Sequence, residues 1–238
     1  MDYFFVDPHD IHGTTALLKG DEYKHLARVL RKREGEHITL IDGNDHSYDA
    51  LIRLIDAHQA ECEILHVHDR MNEPRISVTL AVSLLRNPAR LDVLVEKTTE
   101  SGVRTIIPML CERTIPRSDK HARLEKIALS AMKQCGRSYL PRIEPLRAFD
   151  TLVGSSGSFD LRLIPHEKTE QSHFIGSVLQ HHPNVTSVLV LVGPEGGFTD
   201  EELTAADRHG FVPISLGPRR LRTETAAISA VNWIVGGW

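Results

Sequence analysis

Cysteine is scarce in this chain: Cys62, Cys111 and Cys135 are the only three in 238 residues. An odd number without Cys-x-x-Cys spacing supports neither a disulfide framework nor a zinc site, so the three read as buried, reduced thiols. Long hydrophobic runs are also missing. The longest, ISVTLAVSLL at 76–85 and SVLVLV at 187–192, fall well short of a bilayer span. Met1-Asp2 opens no charged-then-apolar secretion signal. These absences point to a cytoplasmic protein without a membrane partner. Internal repeats and low-complexity tracts are absent too, and GSSGS at 154–158 reads as a flexible loop.

A basic excess is lacking as well: the formal charge is −4, which argues against generic polyanion binding. The charge is unevenly placed. Residues 86–147 hold 13 Lys+Arg against 7 Asp+Glu, whereas residues 1–70 hold 8 against 14 yet include Lys24, Arg28, Arg31, Lys32 and Arg33. Local basic strips on an acidic chain suit a shaped anionic partner, although an ordinary solvated helix face accounts for them equally well.

With 41% hydrophobic residues, the chain has material for a sizeable core, as one large domain or two modest ones. Residues 1–70 alternate short β-like runs (2–6, 37–41, 47–55, 59–67) with turn-forming DGND and AHQ, which suits a small antiparallel barrel. One helix interrupts it, with Leu26, Val29 and Leu30 at helical spacing and an expected end near Gly35. Polar residues 71–75 read as a linker. From residue 76 to 238 the pattern becomes α/β alternation. Strands are expected at 76–85, 104–110, 160–164, 187–192 and 212–216. Helices are expected after Asn87-Pro88, over 123–137, after Thr199 in the capping box TDEE, and from Thr223 to Gly236-Gly237.

Three of these strands end in loops nearly bare of side chains: LIPHE, LVGPEGGF and SLGPRRLRTETA. Ligands of open α/β sheets gather at such carboxyl ends, and glycine with proline leaves a stiff main chain able to hold a flat ligand. A Walker loop requires GxxxxGK[ST] and a dinucleotide fingerprint requires GxGxxG; both are absent. Glu195, in the middle of GPEGG, would repel a pyrophosphate but tolerates a cation. Adenine, ribose and a positive centre together describe S-adenosylmethionine.

LVGPEGGFTDEE at 191–202 with SLGPRRLRTETAAISA at 215–230 closely resembles the C-terminal signature of the RsmE family, the ribosomal RNA uracil-N3 methyltransferases of the SPOUT class. HLARVLRKREGE at 25–36, VEKTTESGVRTIIPMLCER at 95–113 and KIALSAMKQCGRSYLP at 126–141 extend the resemblance along the chain. Arg220 departs from it, standing where an aliphatic residue is usual. The resemblance implies a PUA-like N-terminal β-barrel for RNA binding, a C-terminal SPOUT α/β domain tied in a deep trefoil knot, a homodimer, and 16S rRNA of the small ribosomal subunit as partner.

It also implies a cofactor site on Ile164, His166, Gly193, Pro194, Glu195, Gly196, Gly197, Leu216, Gly217, Leu221, Arg222 and Thr223, with Leu216, Gly217 and Leu221 around the adenine. Arg222 and Glu195 are the catalytic candidates. Arginine stays protonated, so Arg222 would stabilise charge on the uracil ring or clamp a phosphate, while Glu195 would accept the N3 proton. Glu195 has another reading, in which it only caps main-chain N–H groups at a nearby helix start. RNA contacts are expected from Lys24, Arg28, Arg31 and Arg33, from Arg113, Arg117, Arg123 and Arg137 reaching the partner's cofactor, and from Arg219. His66 with His68, and His181 with His182, lack a matching carboxylate or cysteine set and read as structural; Thr223 and Thr225 read as helix caps. A non-catalytic RNA-binding protein and a different nucleotide-using α/β enzyme remain the alternatives.

Overall fold

A computed structural model describes residues 3–118, 120–167, 169 and 173–236. Asp2 of the first expected strand and Gly237 of the expected terminal Gly-Gly lie outside them. The chain divides into two compact units. One comprises the residues up to Glu73 together with Met132–Leu140, the other Pro74–Ala131 and the residues from Pro141 onward.

The first unit is a six-stranded sheet of β1 (Tyr3–Phe5), β2 (Ile11–His12), β3 (Thr15–Lys19), β4 (His37–Ile41), β5 (His46–Ile55) and β6 (Gln59–Asp69), in the order β1-β4-β5-β6-β3-β2. Only β1 and β4 run parallel. Alternation along β3 sends Ala16 and Leu18 inward, onto a core that includes Phe4, Leu26, Leu40 and Ile52. Helix α1 (Gly20–Lys24) widens into a π-helical turn over His25–Val29. It stops at Val29, six residues before the expected Gly35, because Arg31 takes a left-handed φ of 53° and Lys32 N–H reaches back to Leu26 O at 3.1 Å.

Segment 71–75, expected as a linker, is packed rather than free as far as Glu73. Ser138 donates to Met71 O, and Asn72 Nδ2 donates to Gly136 O at 2.8 Å. Glu73 receives Arg137 Nη2 at 2.6 Å and Tyr139 N–H at 3.0 Å, with the two charged side chains 1% and 3% exposed. Within this polar segment Glu73 thus belongs to a buried, mutually satisfied pair. Arg137, read from sequence as an RNA contact, is internal.

The second unit holds β7 (Ser77–Ser83), α2 (Pro88–Ser101), β8 (Thr105–Leu110), α3 (His121–Cys135, its last four residues in the first unit), β9 (Arg142–Ile143), β10 (Arg147–Ala148) and α4 (Phe149–Gly154). There follow β11 (Leu161–Pro165), α5 (Ile175–Gln180), β12 (Ser187–Val192), α6 (Asp200–Arg208), β13 (Val212–Ile214) and α7 (Thr223–Gly236). Its sheet is parallel throughout, in the order β10-β8-β7-β12-β11-β13, with β9 beside β8. Near-continuous apolar runs in β7 and β12 fit strands buried on both faces. Pro108, which cannot donate, sits where the edge of β8 passes from β9 to β10. Asn87 Oδ1 caps α2 through Ala89 N–H, and Gly102 ends it at φ 107°. Ser156 within GSSGS is buried in a 3-10 turn rather than loose.

Chain order and sheet order reverse at β7: the path runs outward through β8, then crosses so that β12 lies between β7 and β11. Helix α7 follows the edge strand β13 yet packs against α2, α5, β7 and β12.

Removing one partner of a buried charge pair strands the other. Arg137→Ala should therefore destabilise the protein by about 3–5 kcal/mol in urea unfolding, and Arg137→Met combined with Glu73→Met by clearly less.

Candidate active site

Because β11, β12 and β13 are parallel neighbours, their carboxyl ends open side by side, and the three bare loops meet there. They line a cleft of about 270 Å³ with Pro165, His166 and Glu167 from the first, Val192–Phe198 from the second, and Ser215–Gly217, Arg219–Leu221 and Thr223 from the third. Arg113, from the loop after β8, completes one wall.

The glycines of this cleft are required for different physical reasons. A Cβ on Gly193 would lie 3.1 Å from the Phe198 ring, and one on Gly196 would lie 3.3 Å from Arg113 Cδ. Gly197 and Gly217 instead occupy φ of 69° and 108°, where a side chain is strained although nothing lies within 4 Å of the added atom. The Pro194–Gly197 turn is closed by Gly197 N–H on Pro194 O at 2.8 Å. Main-chain N–H groups of Glu195, Gly196 and Leu221 donate to no other described residue, so the loops present free donors to the cleft.

The β12 loop is tied down from four directions. Glu195 Oε1 accepts Arg86 N–H, just ahead of the α2 cap, at 3.1 Å. Arg113 Nη1 donates to Gly196 O at 2.8 Å and to Phe198 O at 3.2 Å. Thr223 Oγ1 donates to Gly193 O at 3.0 Å, so this threonine joins α7 to β12 rather than capping its own helix. Glu202, 8% exposed, closes the capping box on Thr199 N–H and accepts Glu112 N–H at 2.9 Å with its other oxygen. Beneath lies a buried pair, Ser83 Oγ and Thr114 Oγ1, 2.7 Å apart. The adjacent Cys111 thiol is pushed up to about 12, by burial first and by the Glu202 carboxylate second.

Among the cofactor residues expected from sequence, His166, Gly193–Gly197, Leu216, Gly217, Leu221 and Thr223 converge on the cleft. Ile164 does not: it is 2% exposed, packed into the core beneath with Leu189 and Leu191. Arg222 falls outside the lining, with its carbonyl accepting Ala226 N–H at 2.8 Å as the first bond of α7 and its side chain exposed with no ion pair to a described residue. The resemblance put Ile164 in the expected set; in the structure its side chain belongs to the core.

The expected RNA contacts separate in the same manner. Arg28, Arg31 and Arg33 in the first unit, and Arg117 and Arg219 in the second, are exposed with no ion pair to a described residue, while Lys24 pairs with Asp21 at 2.8 Å. Arg123 is held bidentately by Asp92, with contacts of 3.1 and 2.5 Å. Arg113 belongs to its own chain's cleft. Arg220 reaches across the mouth to Glu167, 3.3 Å away. His68 pairs with Asp49 at 2.9 Å. Arg86, Arg113 and Glu202 are the site residues that sequence reading missed or misplaced. Only Glu202 carried a signal, its place in the capping box.

The RNA methyltransferase domain family matches residues 72–235, and the RNA methyltransferase PUA domain family matches residues 18–65. The ribosomal RNA small subunit methyltransferase E of Synechocystis sp. is 31% identical, covering 96% of this chain and 75% of that one. That of Bacillus subtilis is 28% identical over 92% of this chain and 89% of its own. A crystal structure of the Neisseria gonorrhoeae methyltransferase E bound to S-adenosyl methionine superposes with a TM-score of 0.88, at 33% identity, covering 100% of this chain and 98% of that one. A putative methyltransferase from Legionella pneumophila, solved with S-adenosyl methionine bound, gives 0.80 at 30% identity, over 97% and 95% of the two chains. On the strength of this match along nearly its whole length, the chain belongs to the RNA methyltransferase family that contains the small-subunit ribosomal RNA methyltransferases E.

Proposed function

We propose that the chain is an S-adenosylmethionine-dependent methyltransferase that acts, as a cytoplasmic homodimer, on N3 of a uridine in 16S rRNA of the small ribosomal subunit. One observation carries the reading: in a chain of this family, three bare loops at adjacent parallel strand ends line one cleft, and two of them carry main-chain donors, at Glu195, Gly196 and Leu221, that meet no described acceptor. The fit to the cofactor rests on that donor set and on the open space at Gly217. Leu216, Gly217 and Leu221 would hold the adenine, His166 and Gly193–Gly197 the remainder. When bound, the cofactor supplies an electrophilic methyl group on a sulfonium.

N3 of the acceptor must lose its proton as the N–CH₃ bond forms and the S–CH₃ bond breaks. Positioning and charge placement supply most of the rate. Glu195 keeps Oε1 on Arg86 N–H and leaves Oε2 without a partner among the described residues, which suits it to accept that proton. The exposed Arg222 guanidinium, next to Leu221 and Thr223 of the lining, would balance negative charge on the uracil oxygens. Arg28, Arg31, Arg33, Arg117 and Arg219, exposed with no ion pair to a described residue, are the proposed phosphate contacts, with Arg117 reaching the partner's cofactor. Two features of the fold belong to the same reading. The six-stranded sheet is a PUA-like barrel, and the return of α7 onto β7 and β12, fastened by Thr223 on Gly193, is the threading of a deep trefoil knot.

The decisive experiment is mass spectrometry of rRNA nucleosides from cells with and without the protein: 3-methyluridine should disappear with the gene. Gly217→Val should abolish cofactor binding in calorimetry, since it strains φ and fills the open side of the cleft. Arg222→Ala should bind cofactor normally but methylate about a hundredfold more slowly in single turnover, with partial recovery as rising pH ionises more of the uracil. Glu195→Gln, which can still accept from Arg86, should lose about a hundredfold in the same assay as the mark of a missing base.

A further inference from the structure

Glu112 and Arg113 stand at the tip of a turn that the rest of the site braces. Thr114 N–H donates to Cys111 O at 3.1 Å while Cys111 N–H donates back to Thr114 Oγ1 at 2.9 Å. Glu202 fixes Glu112 N–H from α6, and Ser83 holds Thr114 from the end of β7. A side chain that is long and flexible in general therefore starts here from a fixed point.

Two separate features of the β12 loop are matched to it. The aliphatic stem covers Gly196, where an added Cβ would sit 3.3 Å from Arg113 Cδ and 3.4 Å from its Cβ. The guanidinium bonds the carbonyls of Gly196 and Phe198, the two residues flanking Gly197 in its left-handed conformation. Those carbonyls are turned onto a cation, and the same turn leaves Glu195 and Gly196 N–H without partners. Hydrogen bonds from a charged donor are about twice as strong as neutral ones, so one arginine can hold a loop whose own turn contributes a single main-chain bond.

We propose that Arg113 is a positioning residue for the cofactor loop of its own chain: its guanidinium sets the Gly196 and Phe198 carbonyls, and its stem is the reason position 196 carries no side chain. It is not a phosphate contact for RNA at the partner's site. This deepens the methyltransferase reading above and rests on it for the identity of the ligand, but the clamp itself is testable without any ligand.

In the cofactor-free protein, Arg113→Ala should speed amide hydrogen exchange at Gly197 at least tenfold, whereas Arg117→Ala should leave it unchanged. In calorimetry with S-adenosylmethionine, Arg113→Ala should weaken binding about tenfold or more. Arg113→Lys, which retains a charged donor and most of the stem, should recover part of the loss. RNA affinity and its salt dependence should be unaltered by Arg113→Ala. Steric matching predicts coupling: Gly196→Val should be costly in the parent chain and nearly neutral in the Arg113→Ala background. Unchanged exchange at Gly197, an equal cost of Gly196→Val in both backgrounds, or an Arg113→Ala variant that loses RNA affinity and about one unit of salt slope while binding cofactor normally would each overturn the proposal. If the parent chain binds no S-adenosylmethionine, the methyltransferase reading fails, and hydrogen exchange alone decides the clamp.

Discussion

The position of β12 between β7 and β11 is the constraint from which the site follows. A strand in that place ends beside the ends of both neighbours, so its loop can be held by residues far away in sequence, Arg86 after β7, Arg113 after β8 and Thr223 in α7, as well as by Glu202 in the helix that follows it. Arg113, Glu202 and Thr223 hold main-chain groups, and the Arg86 N–H holds the Glu195 carboxylate. A loop stripped of side chains has few means to order itself, and its rigidity comes from these four neighbours. The arrangement leaves N–H groups free on the cleft side, which is what binding through the main chain requires.

Charges in the molecule divide by whether a partner meets them. Arg137 with Glu73 and Arg123 with Asp92 are closed pairs, the first buried. Arg28, Arg31, Arg33, Arg117, Arg219 and Arg222 stay exposed with no ion pair to a described residue. A chain of net charge −4 thus keeps individual cations available on its surface while others are neutralised locally. Binding of an RNA to such a set is governed by where its phosphates fall, not by a broad positive field.

Much of this was legible in the residues. Alternation in the first seventy, apolar runs bounded by glycine and proline in the remainder, and the Thr199–Glu202 capping box follow from local physics, and they appear in the structure where expected. The short elements α4, α5, β9 and β10 were not legible, since two to six residues give no periodicity to read. The π-helical turn at His25–Val29 and the early helix stop were equally hidden, the stop because it depends on Arg31 adopting a left-handed φ.

The sequence by itself determined the three bare loops, their order, and the kind of ligand that a main-chain site with a central carboxylate admits; these are properties of side chains and of their absence. Which loops meet, and which charges remain free, only the tertiary structure decided. Ile164 and Pro165 are adjacent in sequence, yet the first is buried in the core and the second lines the cleft. Arg113 and Gly196 are 83 residues apart, and no local pattern marks the arginine as the reason for the glycine. That pairing exists because parallel strands bring their carboxyl ends together, and contacts made by sheet topology leave no trace in the residues on either side.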